Sequence, residues 1–91
     1  MPKRTIKVLI SGKVQNVGYR AWTQNTANEH GINGWVRNLS DGRVEALFSA
    51  DAELIEIIIQ KCYKGPSLAR VDNIEVTDTG LYESNGFSLI R

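Results

Sequence analysis

Hydrophobic and polar positions in the first half of the chain alternate with the periods of strands and helices. Isoleucine and valine fill every second position from Ile6 to Ile10, which predicts a strand with one buried face. From Tyr19 onward apolar and small residues return at helical spacing, and Gly31 supplies the expected helix stop. Two short alternating segments, Gly34–Asn38 and Val44–Phe48, flank Ser40-Asp41-Gly42, which predicts a hairpin.

The second half of the chain repeats the order of helix and strand. Asp51 is a plausible N-cap for a helix whose broad apolar face includes Leu54, Ile55, Ile58 and Cys62, and Gly65-Pro66 ends it. The segment Val71–Val76 predicts a fourth strand. The apolar residues Phe87 and Leu89 predict a short fifth strand. The order βαββαβ predicts an α+β fold, a two-layer sandwich in which two helices cover one face of an antiparallel sheet.

This topology brings together two places that are distant in sequence. Strand–helix–strand units cross over in a right-handed sense and return the chain in its original direction. The first and second strands therefore end at the same edge of the sheet. We expect the loop after Gly12 and the residue Asn38, at the end of the second strand, to be neighbours.

Composition narrows the class of protein. A length of 91 residues predicts one domain spanning residues 1–91. A net charge of +1 argues against broad nucleic-acid binding, which usually needs a basic face. The longest apolar run is short and contains Glu56, so no membrane span is expected. A single cysteine, Cys62, excludes an intrachain disulfide and suits a reducing compartment, which predicts a cytoplasmic location.

The loop before the first helix has the composition of an anion site. No Asp or Glu occurs before Glu29, although acidic residues normally populate the first turn of a helix. Arg20 can hold two phosphate oxygens through its planar fork. The backbone N–H groups of the loop can hold the remaining oxygens, and this predicts a phosphate-binding loop made of Gln15, Asn16, Val17, Gly18 and Tyr19. The alternative is an exposed arginine beside a tight turn.

Asn38 is the second candidate site residue. Its side-chain amide donates and accepts hydrogen bonds at once, as orienting a water molecule requires. The alternative is a turn asparagine that bonds its own backbone. His30 at a helix end is more typical of a capping or packing residue, and Cys62 of an inert core residue. No cluster of histidine, cysteine or carboxylate residues suggests a metal site or a cofactor.

The predicted site, made of Arg20, Asn38 and the loop amides, indicates a class of substrate. The site includes no nucleophile and no general acid, so the leaving group of the substrate must depart without a proton. A carboxylate does so, because the pKa of its acid is about 4. Acyl phosphates have such a leaving group, whereas alkyl phosphates do not, and phosphoryl transfer depends chiefly on positioning and charge stabilisation.

The same residues resemble a known family. The run Ser11–Arg20 is similar to the acylphosphatase signature G-x-V-Q-G-V-x-F-R, and Gly34–Glu45 resembles the second signature, G-x-V-x-N-x-x-D-G-x-V-E. The resemblance implies a ferredoxin-like fold and a monomeric enzyme that hydrolyses acyl phosphates without metal or other cofactor. It also implies that Arg20 and the loop amides hold the phosphate, that inorganic phosphate competes for this place, and that Asn38 orients the attacking water.

Two positions depart from the family pattern. Tyr19 replaces the usual Phe and brings a hydroxyl that needs a partner or solvent. Asn16 replaces a Gly, and Asn is the non-glycine residue that best tolerates a positive φ.

Two other classes of function share the βαββαβ layout. An RNA-recognition module would need an aromatic-rich motif, which Gly42–Ser49 lacks. The remaining alternative is a regulatory domain that binds phosphate or a small ligand and has little or no turnover.

Overall fold

The computed structural model describes residues 3–91, so Met1 and Pro2 of the predicted domain lie outside it. The elements follow the predicted order, and most strands are longer than the sequence pattern indicated. They are β1 (Lys3–Lys13), α1 (Tyr19–Glu29), β2 (Asn33–Asn38), β3 (Val44–Asp51), α2 (Ala52–Lys64), β4 (Arg70–Asp78) and β5 (Phe87–Ile90).

The five strands form one sheet in the order β4-β1-β3-β2-β5. β1 pairs with β3 and β4, and β2 pairs with β3, in each case antiparallel as predicted. β5 pairs with β2 in parallel, from Gly34 opposite Phe87 to Arg37 opposite Ile90. The sheet is therefore mixed rather than wholly antiparallel, because the short fifth strand is added to its edge in the direction of β2.

One hydrophobic core lies between the sheet and the two helices. The face of β1 predicted to be buried is buried, since Ile6, Val8 and Ile10 are at most 1% exposed. From the helices, Tyr19, Ala27, Ile55, Ile58 and Cys62 join the same cluster. Burial of each large aliphatic side chain stabilises the fold by about 1.5–3 kcal/mol. This core fixes the position of α1, and with it the start of the helix at Tyr19.

The helices begin and end close to the predicted positions, but the predicted N-cap of α2 makes no side-chain hydrogen bond. Asp51 is the N-cap of α2 as predicted, yet its side chain makes no capping hydrogen bond. α1 begins after Gly18, whose φ of 79° is left-handed, and its first turn contains no acidic residue. His30 follows the last helical residue, and its Nδ1 lies 2.9 Å from the carbonyl oxygen of Thr26. Its capping position agrees with the prediction.

Tyr19 anchors the start of α1 to the end of α2. Its hydroxyl donates a hydrogen bond to the carbonyl oxygen of Cys62 at 2.5 Å. In a continuing helix that carbonyl would accept from the residue four positions later, but this residue is Pro66, which has no N–H. The hydroxyl added by the Phe-to-Tyr departure therefore satisfies a buried acceptor. Burial also raises the pKa of Tyr19, so the phenol stays protonated.

Candidate active site

The ends of β1 and β2 meet at one edge of the sheet, as the topology predicts. Both strands run antiparallel to β3 and are therefore parallel to each other. A pocket of about 200 Å³ lies at this edge. Its lining comes from the loop after β1, the first turn of α1, the end of β2 and the end of β5: Val14, Asn16, Gly18, Tyr19, Arg20, Ala21, Asn38, Leu89 and Arg91.

The structure brings together most of the residues that the sequence singled out. Arg20 and Asn38 both line the pocket, although they are separated by the whole of α1 and β2. Asn16, Gly18 and Tyr19 line it as well. Gln15 and Val17 do not line it. The side chain of Gln15 turns to the β2–β3 connection, and Val17 packs against the core.

Arg20 is held by backbone rather than by a carboxylate. Its Nη1 donates a hydrogen bond to the carbonyl oxygen of Ile90 at 3.1 Å. Among the residues from Lys3 to Arg91, no acidic side chain lies within ion-pair distance of Arg20. The guanidinium therefore keeps its charge uncompensated by a protein carboxylate and retains donors for an anion.

The start of α1 adds to this positive character. Gly18 is the N-cap, and no side chain caps the first N–H groups of the helix. These groups carry the partial positive charge of the helix dipole. No aspartate or glutamate is among the residues that line the pocket within the described chain. A guanidinium and an uncapped helix start on one pocket favour the binding of an anion.

Asn16 has the backbone conformation that its place in the loop suggested. Its φ is 63°, and it is the one non-glycine residue with positive φ in the described part of the chain. A left-handed backbone costs an ordinary L-residue about 1–2 kcal/mol, and asparagine adopts it more readily than most. The glycine of the family pattern is therefore replaced by the residue type best able to keep the same turn.

Asn38 carries an unpaired buried acceptor. Its Oδ1 is buried and has no hydrogen-bond partner within residues 3–91. An unsatisfied buried polar atom costs about 1–3 kcal/mol, and in a native protein such an atom calls for an explanation, such as a catalytic role or a bound water. The sequence left open the alternative that Asn38 is a turn residue whose side chain bonds its own backbone. The unpaired Oδ1 does not make such a bond.

Four lining residues were not among the predicted site residues: Val14, Ala21, Leu89 and Arg91. Val14 lies directly before the predicted loop. Leu89 and Arg91 reach the pocket because β5 pairs with β2, and Ala21 because it follows Arg20 on α1. The sequence pattern predicted β5 as a strand but did not reveal its pairing partner, which lies more than fifty positions away. Arg91 is the second arginine among the residues that line the pocket, beside Arg20.

Two reactive residues lie away from this pocket. Cys62 is buried in the core, and burial raises the pKa of its thiol to about 12, so it is not a ready nucleophile. His30 is at the far end of α1. In the part of the chain from Lys3 onward, no three His, Cys, Asp or Glu side chains form a group that could hold a metal ion. No helix within that part is long and apolar enough to cross a membrane.

Comparison with known proteins gives a consistent result. The acylphosphatase family model matches residues 6–89. An acylphosphatase of Roseiflexus sp. (strain RS-1) is 49% identical over 86 residues, which cover 91% of this chain and 90% of the relative.

Solved structures resemble the fold over almost its whole length. The crystal structure of acylphosphatase from Bacillus subtilis has a TM-score of 0.92 at 29% identity, covering 97% of this chain and 99% of that one. The structure of an acylphosphatase from Coxiella burnetii has a TM-score of 0.93 at 32% identity, covering 97% of this chain and 93% of that one. The family model and the relatives cover most of the chain, and both signature segments meet at the sheet edge where β1 and β2 end. The chain therefore belongs to the acylphosphatase family.

Proposed function

We propose that this protein hydrolyses acyl phosphates to a carboxylate and inorganic phosphate at the pocket between α1 and β2. The observation that carries the proposal is the meeting of Arg20, the uncapped start of α1 and Asn38 around one pocket. Membership of the acylphosphatase family supports the same reaction. We further propose that residues 1–91 act as a single domain and as a monomer.

The phosphate is bound by Arg20 and by backbone N–H groups of the loop of residues 15–19, of which Asn16, Gly18 and Tyr19 line the pocket. Arg20 is free of carboxylate partners in the described chain, so its fork can take two phosphate oxygens. Charge-assisted hydrogen bonds of this kind are about twice as strong as neutral ones. Because the negative charge of the transferred group is spread over its oxygens in the transition state, the same contacts lower the barrier.

Asn38 orients the attacking water. Its buried Oδ1 has no partner in the described protein and can accept a hydrogen bond from water, while the amide nitrogen can donate one. Fixing the direction of attack supplies the in-line geometry that phosphoryl transfer needs.

The leaving group explains how the reaction proceeds without a general acid. A carboxylate leaves as an anion at neutral pH, because the pKa of its acid is about 4. Arginine and amide groups supply the required stabilisation of charge, so we propose that no metal ion takes part.

A comparison of two aromatic substrates tests this proposal. Benzoyl phosphate has a carboxylate leaving group and phenyl phosphate a phenolate with a pKa of about 10. We expect rapid release of phosphate from benzoyl phosphate in excess EDTA, very slow release from phenyl phosphate, and competitive inhibition by inorganic phosphate. Loss of activity with EDTA and its return with Mg²⁺ would contradict the mechanism. Phosphate binding without turnover would support the regulatory alternative instead.

Substitutions of Asn16 test the shape of the loop. Asn16→Gly removes the cost of a positive φ, on the order of 1 kcal/mol, but also makes the unfolded chain more flexible, so the free energy of unfolding should change little. Phosphate affinity and turnover should stay equal or rise, because the side chain at the pocket is removed. Asn16→Val should lower stability and activity, since a β-branched residue is the poorest match to this backbone. Urea unfolding and phosphate titration measure both, and a wild-type-like valine variant would rule out the left-handed loop.

A further inference from the structure

The side chain of Gln15 connects the loop after β1 to the β2–β3 turn. Its Nε2 donates to the carbonyl oxygen of Leu39 at 2.7 Å and to that of Arg43 at 2.9 Å. Both bonds are partly buried, and they join residues 24 and 28 positions apart. The two N–H groups of one amide nitrogen thus hold two separate backbone carbonyls.

The two carbonyls belong to the closing pair of that turn. Leu39 N–H donates to the carbonyl oxygen of Arg43 at 2.8 Å, and Gly42 N–H donates to that of Leu39 at 3.3 Å. A side chain within the turn also stabilises it, since Asp41 Oδ1 accepts a hydrogen bond from Arg43 N–H at 3.1 Å. Leu39 directly follows Asn38, which is the last residue of β2 and pairs with Val44. Any shift of the turn relative to the loop would therefore move Asn38.

We propose that Gln15 is a positioning residue, which sets the place of Asn38 relative to Arg20 and the phosphate loop. The inference rests on the proposed function, because it assigns Gln15 a role through the water-orienting Asn38. Glutamine suits the position because its side chain carries two N–H donors and no charge. A methionine has no donor for the two carbonyls, a glutamate sets negative oxygens against them, and an asparagine is one methylene too short.

Loss of the Gln15 side chain should slow turnover without weakening phosphate binding. Loss of the link leaves Arg20 and the loop in place but misplaces Asn38, and small misplacements in an active site cost up to about 10²-fold. Gln15→Met should therefore lower kcat for benzoyl phosphate by about 10-fold to 10²-fold. The KM and the affinity for inorganic phosphate should change by less than about 3-fold, which is small beside that loss. Gln15→Asn should behave in the same way and serves if the methionine variant does not fold.

A double-mutant cycle distinguishes positioning from general stability. In an Asn38→Ala background Gln15→Met should have almost no further effect on kcat, because the group that it positions is gone. Ser49→Ala is the matched control. It removes a buried hydrogen bond of 2.9 Å to Thr5 in the β1–β3 pair, at the sheet end away from the pocket, and should lower stability without changing kcat.

A measurement that needs no turnover separates this inference from the proposed function. The side-chain NH₂ signals of Asn38 in ¹⁵N NMR should shift or broaden in Gln15→Met and remain unchanged in Ser49→Ala. If the wild-type protein has no acyl phosphate hydrolysis, the proposed function fails, and these signals alone decide whether Gln15 positions Asn38. Two results would overturn the inference. One is unchanged Asn38 signals in Gln15→Met. The other is a further decrease in kcat from Gln15→Met in the Asn38→Ala background that is as large as its decrease in the wild-type background.

Discussion

Replacement of Arg20 by alanine should lower kcat/KM for benzoyl phosphate by about 10³-fold or more, the range seen when a phosphoryl-transfer site loses an arginine. Arg20→Lys should be nearly as damaging. A lysine ammonium keeps the charge but cannot reproduce the planar fork that binds two oxygens. It also cannot keep the present geometry, in which one guanidinium nitrogen is held by the carbonyl oxygen of Ile90 at 3.1 Å.

Arg4→Lys is the control for this experiment. Arg4 lies at the opposite end of β1, where it pairs with Asp78 and Glu56 on the surface. Surface ion pairs contribute about 0–1 kcal/mol, so this variant should keep wild-type kinetics. Near wild-type activity in Arg20→Lys would show that charge alone matters, and the bidentate arrangement would then be wrong.

Asn38→Ala should lower kcat by about 10²–10³-fold, as does the loss of one oriented polar group in other active sites. Affinity for inorganic phosphate should change far less, because Asn38 is assigned to water. Removal of the unpaired buried Oδ1 should also leave stability unchanged or raise it, since this acceptor has no partner within residues 3–91 to lose. Steady-state kinetics, phosphate titration and urea unfolding measure the three quantities separately.

A matched control for Asn38 lies on α1. Asn25 is exposed on the helix surface, so Asn25→Ala should change neither kcat nor phosphate affinity. An equal loss of phosphate binding and turnover in Asn38→Ala would assign Asn38 to the anion site rather than to water.

The sequence predicted the part of the site that follows from topology. Alternating Ile6, Val8 and Ile10 fixed the buried face of β1, and the strand–helix–strand order placed the loop and Asn38 at one edge. The left-handed backbone of Asn16 was also foreseeable, because a glycine position in the signature is filled by the residue type that best tolerates positive φ.

The contacts that cross from one element to another could not be predicted in this way. A period-two pattern marks Phe87 and Leu89 as a strand but contains no information on direction or partner, so the parallel pairing of β5 and its contact with Arg20 were missed. The side chain of Gln15 looked like one more loop residue. Its role depends on carbonyl groups 24 and 28 positions away, which only the folded turn presents.

A ¹⁵N NMR titration with inorganic phosphate shows whether one pocket binds the phosphate group. We predict saturable shifts in the backbone amides of residues 15–20 and in the Arg20 guanidinium signals, with a dissociation constant equal to the competitive inhibition constant of phosphate. Arg20→Ala should abolish these shifts. Phosphate-induced shifts confined to another part of the protein, or none at concentrations that inhibit the enzyme, would exclude phosphate binding at this pocket.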